Sequence, residues 1–322
     1  MLRGLLSTYI LLNRLIFTVF FLLLATTVTV AQGDNLDWWD ALHDYPNAAG
    51  KFRNRYQNIS PGYMGPNALP VPLLFDGAID NELWFHAGGE FHRAPGDRTN
   101  NFVLTANIPL AEGRVSLFLN SVPRETWEVT PEVRDLRRMV AFDGKGRNTG
   151  DIIFGFLFRI FDEEQNGFNL AGLAQAKSTT GSQIENARFS DASMFVWNIH
   201  FSKTLFQKAH IQFKIKAMLG FLTWQTNQNG LPNGSNELQN DAPSYGIGFT
   251  YKRGAFHVET DISGYHGYIG NRDYPTFWRS RAEYRWNGFG LNVNFGHGLK
   301  AWDWNTYGFG LRYYIKKKEN KE

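Results

Sequence analysis

Asn198, His200 and Ser202 form the arrangement in this chain closest to a nucleophile with its base. In an extended segment, alternate residues share one face, and a histidine beside a serine can take the hydroxyl proton and activate the oxygen. A second pairing, His266 with Asp273, falls in a connection between elements. The chain contains no cysteine, which excludes thiol nucleophiles, disulfides and cysteine-zinc sites. It carries no phosphate-cradling glycine loop, no His-x-x-x-His metal pair and no nucleophile elbow. The simpler reading of Asn198, His200 and Ser202 is a hydrogen-bond network on an inward-facing strand. We therefore expect no catalytic, cofactor-binding or metal site, and no enzyme.

The other chemistry is electrostatic. In Phe277–Trp286, Trp278, Ser280, Ala282, Tyr284 and Trp286 point one way, and Arg279, Arg281, Glu283 and Arg285 point the other. A soluble core rejects the second set. So does lipid, at roughly 2–4 kcal/mol per mid-membrane arginine. The charged set therefore faces a watered lumen. His210–Thr223 repeats the pattern, with an apolar row from Ile211 to Phe221 opposed by Gln212, Lys214 and Lys216. The lumen-lining residues expected from this alternation are Arg279, Arg281, Glu283, Arg285, Lys214, Lys216, Glu259, Asp261, His257 and Arg312. If the hairpin closes between Gly267 and Pro275, Asp261 falls opposite Arg281, and Glu259 opposite Glu283 or its diagonal Arg281.

These residues need strands to position them. From about residue 82 to 315, segments of roughly ten residues alternate apolar and polar between turn residues, the period of a strand with one apolar face. About twelve such segments can be counted, each long enough to cross a bilayer as a tilted strand, with fourteen as the alternative. Short connections (Ala111–Gly113, Asp162–Gly167, Leu205–Ala209, Arg253–Ala255, Asn287–Phe289) alternate with long ones (Arg93–Thr99, Pro123–Gly150, Gly181–Ser190, Trp224–Pro243, Gly267–Pro275). Tight periplasmic turns and longer outer loops alternate this way in membrane barrels. The fold class is all-β, a transmembrane antiparallel up-and-down β-barrel with an N-terminal periplasmic arm or plug. Aromatic residues at 16% and 32 glycines suit it, and a mean hydropathy of −0.35 rules out a helical multi-span protein.

Residues 1–31 read as a signal peptide, with Arg3 and Arg14 before an apolar run and Thr29-Val30-Ala31 ahead of a cut at Gln32. The alternative is an uncleaved anchor. Residues 32–80 are an arm or plug segment, aromatic and acidic at Asp37-Trp38-Trp39-Asp40, then rich in proline at Pro61, Pro66, Pro70 and Pro72. Repeated proline favours an extended, pinned chain. The barrel occupies residues 81–316 and a charged tail residues 317–322. Within Asp151–Phe161, the inward Ile153, Leu157 and Phe161 need an apolar cover, from the arm or from a folded-in loop. Thr130 before Pro131, with early acid and late base, marks a short helix in the longest connection.

From residue 82 to 315 the chain resembles the outer-membrane β-barrels and porin-like proteins of Gram-negative bacteria. The strand start Gly150-Asp151-Ile152-Ile153-Phe154 and the later Asp191-Ala192 are similar to Bacteroidota barrels. The closing strand from Gly308 to Ile315 resembles the terminal strand presented to barrel-assembly machinery, although Lys316–Glu322 follow it. His200 and Ser202 also resemble the His-x-Ser of outer-membrane phospholipase A. That family's site faces lipid, however, and here Phe195, Trp197, Ile199 and Phe201 take the lipid side.

The function expected is an outer-membrane, porin-like channel for small solutes, with a preference for anions. The alternatives are a structural or partner-binding barrel within a larger complex, and a lipid-acting enzyme. Expected partners are outer-membrane lipid, small solutes and other outer-membrane proteins. No basic patch argues for nucleic acid.

Overall fold

A computed structural model describes residues 36–43, 57–111, 113–190, 192–226 and 238–315. The expected signal peptide and the charged tail lie outside the described residues. The compact unit that runs from residue 39 onward holds the barrel.

Twelve antiparallel strands close into a ring. They are β1 (Leu83–Ala94), β2 (Asp97–Ala111), β3 (Val115–Val129), β5 (Ile152–Phe161), β6 (Asn169–Lys177), β7 (Met194–Lys208), β8 (Ile211–Gln225), β9 (Gln239–Arg253), β10 (Phe256–Tyr265), β11 (Thr276–Trp286), β12 (Phe289–Lys300) and β13 (Asn305–Ile315). Each pairs with its chain neighbour, and β13 closes the ring on β1, with Leu83 opposite Ile315 and Arg93 opposite Asn305. The thirteenth strand, β4 (Lys145–Asn148), pairs with β3 in the register that β5 continues. Glu125 faces Asn148 and Ser121 faces Ile152. β4 and β5 are thus one line, interrupted at residues 149–151 and rising beyond the barrel wall. Three short α-helices lie among the described residues, α1 (Asp37–Leu42), α2 (Pro131–Leu136) and α3 (Glu163–Asn166), with one turn of 3-10 helix at Ile184–Asn186.

Burial is inverted relative to a soluble protein. Trp197, Ile199, Leu219, Ile247, Tyr284, Leu291 and Phe309 are exposed. Asn198, His200, Ser202, Lys216, Glu283 and Arg312 are buried. Leu219 is 71% exposed, and Lys216, three residues earlier on β8, is 3% exposed. Such a surface is stable only where the outside solvent is hydrocarbon, and closure of the ring leaves no unpaired edge to that solvent. The chain is an outer-membrane-type transmembrane β-barrel.

Two connections depart from expectation. The Arg93–Thr99 loop is not long. β1 and β2 meet across Pro95-Gly96, with Ala94 paired to Asp97 and Gly96 at φ +76°. Both strands run past the membrane, so residues expected in a loop extend the ladder instead. Likewise β3 continues through Pro123 to Val129 after a register shift opposite Phe102–Leu104. α2 forms where expected, with Pro131 in its first turn, but the Thr130 side chain makes no cap bond.

The alternation also fails at Phe161. A register shift between Arg159 and Phe161 turns that ring outward, where it is 42% exposed. Leu157 stays inward and packs with Trp84, Phe118, Leu173 and Tyr314. Its cover comes from the N-terminal arm, through Phe75 and Ile79.

Candidate functional site

Residues 57–82 run the length of the lumen. At the end carrying the long connections, Gln57 Nε2 donates to the carbonyls of Arg138 (2.6 Å) and Glu185 (3.1 Å), and Ser60 Oγ donates to Asn271 O (2.8 Å). Ile59 and Leu69 pack among Trp224, Tyr265, Phe277 and Trp302. Further down, Arg279 donates to the carbonyls of Val71 (3.1 Å) and Pro72 (2.6 Å), and Lys216 donates to Leu74 O at 3.3 Å. Phe75 stands edge-on to Phe118 and His200. Asp76 accepts from Ser202 Oγ at 2.5 Å and pairs with Lys214 at 2.9 Å. At the short-turn end, Trp84 Nε1 donates to Asp80, and the Gly113 amide donates to Asn81.

Pro70 and Pro72 keep this stretch extended, so its carbonyls are free for side chains of the wall. At up to about 3.3 Å per residue, the stretch from Leu69 to Asn81 reaches roughly 40 Å, more than a ~25 Å apolar band. Gly77 passes close against the backbone of the wall. A Cβ there would lie 2.7 Å from Asn169 O, 2.8 Å from Ser202 N and 2.9 Å from His200 O.

The inward side chains expected from the sequence are mostly engaged with one another. Glu259 pairs with Lys216 (3.2 Å) and Arg281, and Asp261 pairs with Arg279 at 3.1 Å. Glu283 takes Arg312 (3.1 Å) and Arg285 (2.9 Å), and the Tyr314 hydroxyl donates to it. Arg285 also reaches Glu82 at 2.7 Å, and Arg312 lies over the Trp84 ring. His257 sits across from Glu283 and Lys252, and its Nε2 has no hydrogen-bond partner among the described residues. The expected hairpin register is off by two residues: Glu259 faces Arg281 and Asp261 faces Arg279. The ladder ends at Gly264 opposite Thr276, three residues short of Gly267, and beyond it the Gly267 amide donates to Asp273 O at 2.8 Å.

Asn198, His200 and Ser202 share a face without a hydrogen bond joining them among the described residues. Ser202 is spent on Asp76, and Asn198 accepts from Ser244 at 2.6 Å. Both ring nitrogens of His200 lack a hydrogen-bond partner among the described residues. Asp273 accepts from Asn240 and from the Ile269 amide, while the His266 ring lies on Tyr274. No group of acids and histidines among the described residues could hold a metal ion.

Sequence reasoning missed the cluster at the outer rim. Arg188, fully buried, bonds Glu125 at 2.8 Å and Asp97 at 2.9 Å, and Arg137 joins Asp97 at 2.5 Å. Asn67 of the arm donates to Glu125. This ties the loop before β7, the helix loop after β3 and the arm to one spot. The partners lie 63 and 91 residues from Arg188, and no local pattern links them. At the same end, Trp39 of α1 is buried and donates to Arg138 O at 3.1 Å. Burial and then the neighbouring Arg138 hold His43 below the ordinary imidazole range.

No family of known sequences matches the chain. No curated protein matches it either. Its backbone is similar to that of an outer membrane channel from Pseudomonas putida F1, at 11% identity and a TM-score of 0.49 over 77% of this chain and 97% of that one. It is similar to the NanC porin at 10% identity and a TM-score of 0.47, over 72% of this chain and the whole of that one. It is also similar to the β domain of the Bordetella autotransporter BrkA at 11% identity and a TM-score of 0.44, over 73% and 99%.

Proposed function

We propose that the barrel is a porin-like channel for small solutes, closed by its own residues 57–80 and opened when they leave. The supporting observation is how the arm is held. Lys214 and Ser202 grip Asp76, and Arg279 and Lys216 grip main-chain oxygens. The wall side chains are themselves inward polar groups that a conduit needs. A permanently filled small barrel could satisfy them with each other and would need no transit segment.

Opening would also change the charge of the passage. When the arm departs, Asp76 goes with it, Lys214 loses its partner, and Arg279 loses two acceptors. The exposed wall then carries Lys214, Lys216, Arg279, Arg281, Arg285 and Arg312 against Glu259, Asp261 and Glu283. That excess favours anions.

The test is single-channel recording of a Lys214→Gln, Arg279→Gln double variant beside the unaltered chain. Added openings in the variant are expected. A variant as silent as the parent would contradict the role given to these two anchors.

A further inference from the structure

The direction of the arm fixes where the chain before it emerges. Going up from β1, residues 82 to 57 pass from Gly113, in the turn between β2 and β3, to Asn271, in the connection between β10 and β11. The first is at the short-turn end, shared by the connections at residues 112–114, 162–168, 209–210, 254–255 and 287–288. The second is at the end carrying α2, β4 and the connection at residues 266–275. α1 lies there too, since Trp39 is buried against the carbonyl of Arg138, just after α2. Long connections face outward and tight turns face the periplasm.

We propose that the segment carrying α1 is presented on the outer face of the membrane, reached by threading residues 57–80 through the barrel from the periplasmic end. The strands begin and end at the periplasmic end, and Trp39 stands at the opposite end from Leu83, where β1 starts. The arm is thereby a transit segment as well as an occupant of the lumen. A partner outside the cell that grips the exposed Leu42 face of α1 can draw on the arm. Passage through an empty lumen also demands that the arm be slim. Consistent with this, the stretch from Pro70 to Asn81 holds two prolines, a glycine and no helix or strand. This placement holds whether or not the barrel conducts.

The chain has no cysteine, so single-cysteine variants report position without background. Leu42, on α1, is 52% exposed, and Leu136, on α2, is 60% exposed. Glu164 is exposed on α3 at the short-turn end. The experiment treats cells making Leu42→Cys, Leu136→Cys or Glu164→Cys with a membrane-impermeant maleimide, before and after the outer membrane is permeabilised. Ala41→Cys stands as a second α1 variant, and heat-modifiable gel migration certifies each folded barrel. The expected result is that the α1 and α2 cysteines label as fully in intact cells as in permeabilised ones, while Glu164→Cys labels only after permeabilisation. Protection of both α1 cysteines in intact cells, with Leu136→Cys labelled, would overturn the proposal. So would an inverted pattern, with Glu164→Cys labelled and Leu136→Cys protected.

Discussion

Asp76 and Gly77 are adjacent points of contact between the arm and the wall, and they do different things. Asp76 supplies charge to Lys214 and an acceptor to Ser202. Gly77 supplies the absence of a side chain, because the backbone oxygens of Asn169 and His200 stand where a Cβ would go. Backbone cannot step aside as a flexible side chain can, and overpacking of this kind costs about 1–3 kcal/mol. Gly77→Ala is therefore expected to loosen the arm without altering a single charge of the wall. The check is open probability in bilayers, which should rise while the conductance of the open state matches that of the chain lacking residues 32–80. An unchanged open probability would show that the close approach does not hold the arm. The wall charges were legible in the sequence because period-2 alternation set Arg279, Arg281, Glu283 and Arg285 on one face. Their partners were not. Val71, Pro72 and Leu74 are bound through main-chain oxygens, which leave no mark on residue type.

At the scale of elements, the outer rim depends on one buried arginine. Arg188 sits between Asp97 at the start of β2 and Glu125 on β3, with the Trp127 ring beside it. Removing one partner of a buried ionic group strands the rest, at about 3–5 kcal/mol. Arg188→Ala is expected to lower the unfolding free energy of the barrel by that order, read from a lower urea midpoint. An Asp97→Asn, Arg188→Ala double variant should lose less than the sum of the single changes, since the two share a network. The neighbouring turn carries a separate constraint. Gly96 has φ +76°, and a Cβ there would meet Val133 Cγ2 of α2 at 2.6 Å. Gly96→Val should destabilise the turn by more than ~1 kcal/mol and shift α2, read as a lower melting temperature. The strands themselves were legible, because ten-residue alternation and punctuation by Gly, Pro and Asn are local. The ledge formed by β2, β3 and β4 was not. It lies outside the membrane, and its inward row mixes Asp97, Thr99 and Glu125 with Trp127 and Val129, so no apolar face marks it. Pro95-Gly96 looked like part of a loop for that reason.

For the whole molecule, the deciding fact is the inverted burial of the ring. Ile247, 68% exposed at the middle of β9, faces lipid, and Thr250, three residues on, is buried in the lumen. Ile247→Arg should cost roughly 2–4 kcal/mol in folding into vesicles. Thr250→Ser should leave folding nearly unchanged. Equal effects of the two would argue against a lipid-facing exterior. The direction of the arm could not be read from the sequence, since prolines and aromatics reveal an extended, sticky segment but not which end of a barrel it enters. The central claim is that this arm closes a passage that the ring of strands otherwise leaves open. The most direct test is single-channel current through the folded chain with and without residues 32–80. The account predicts a closed or briefly flickering full-length chain and a steady, anion-preferring current after removal. The same current in both, or silence in both, would contradict it.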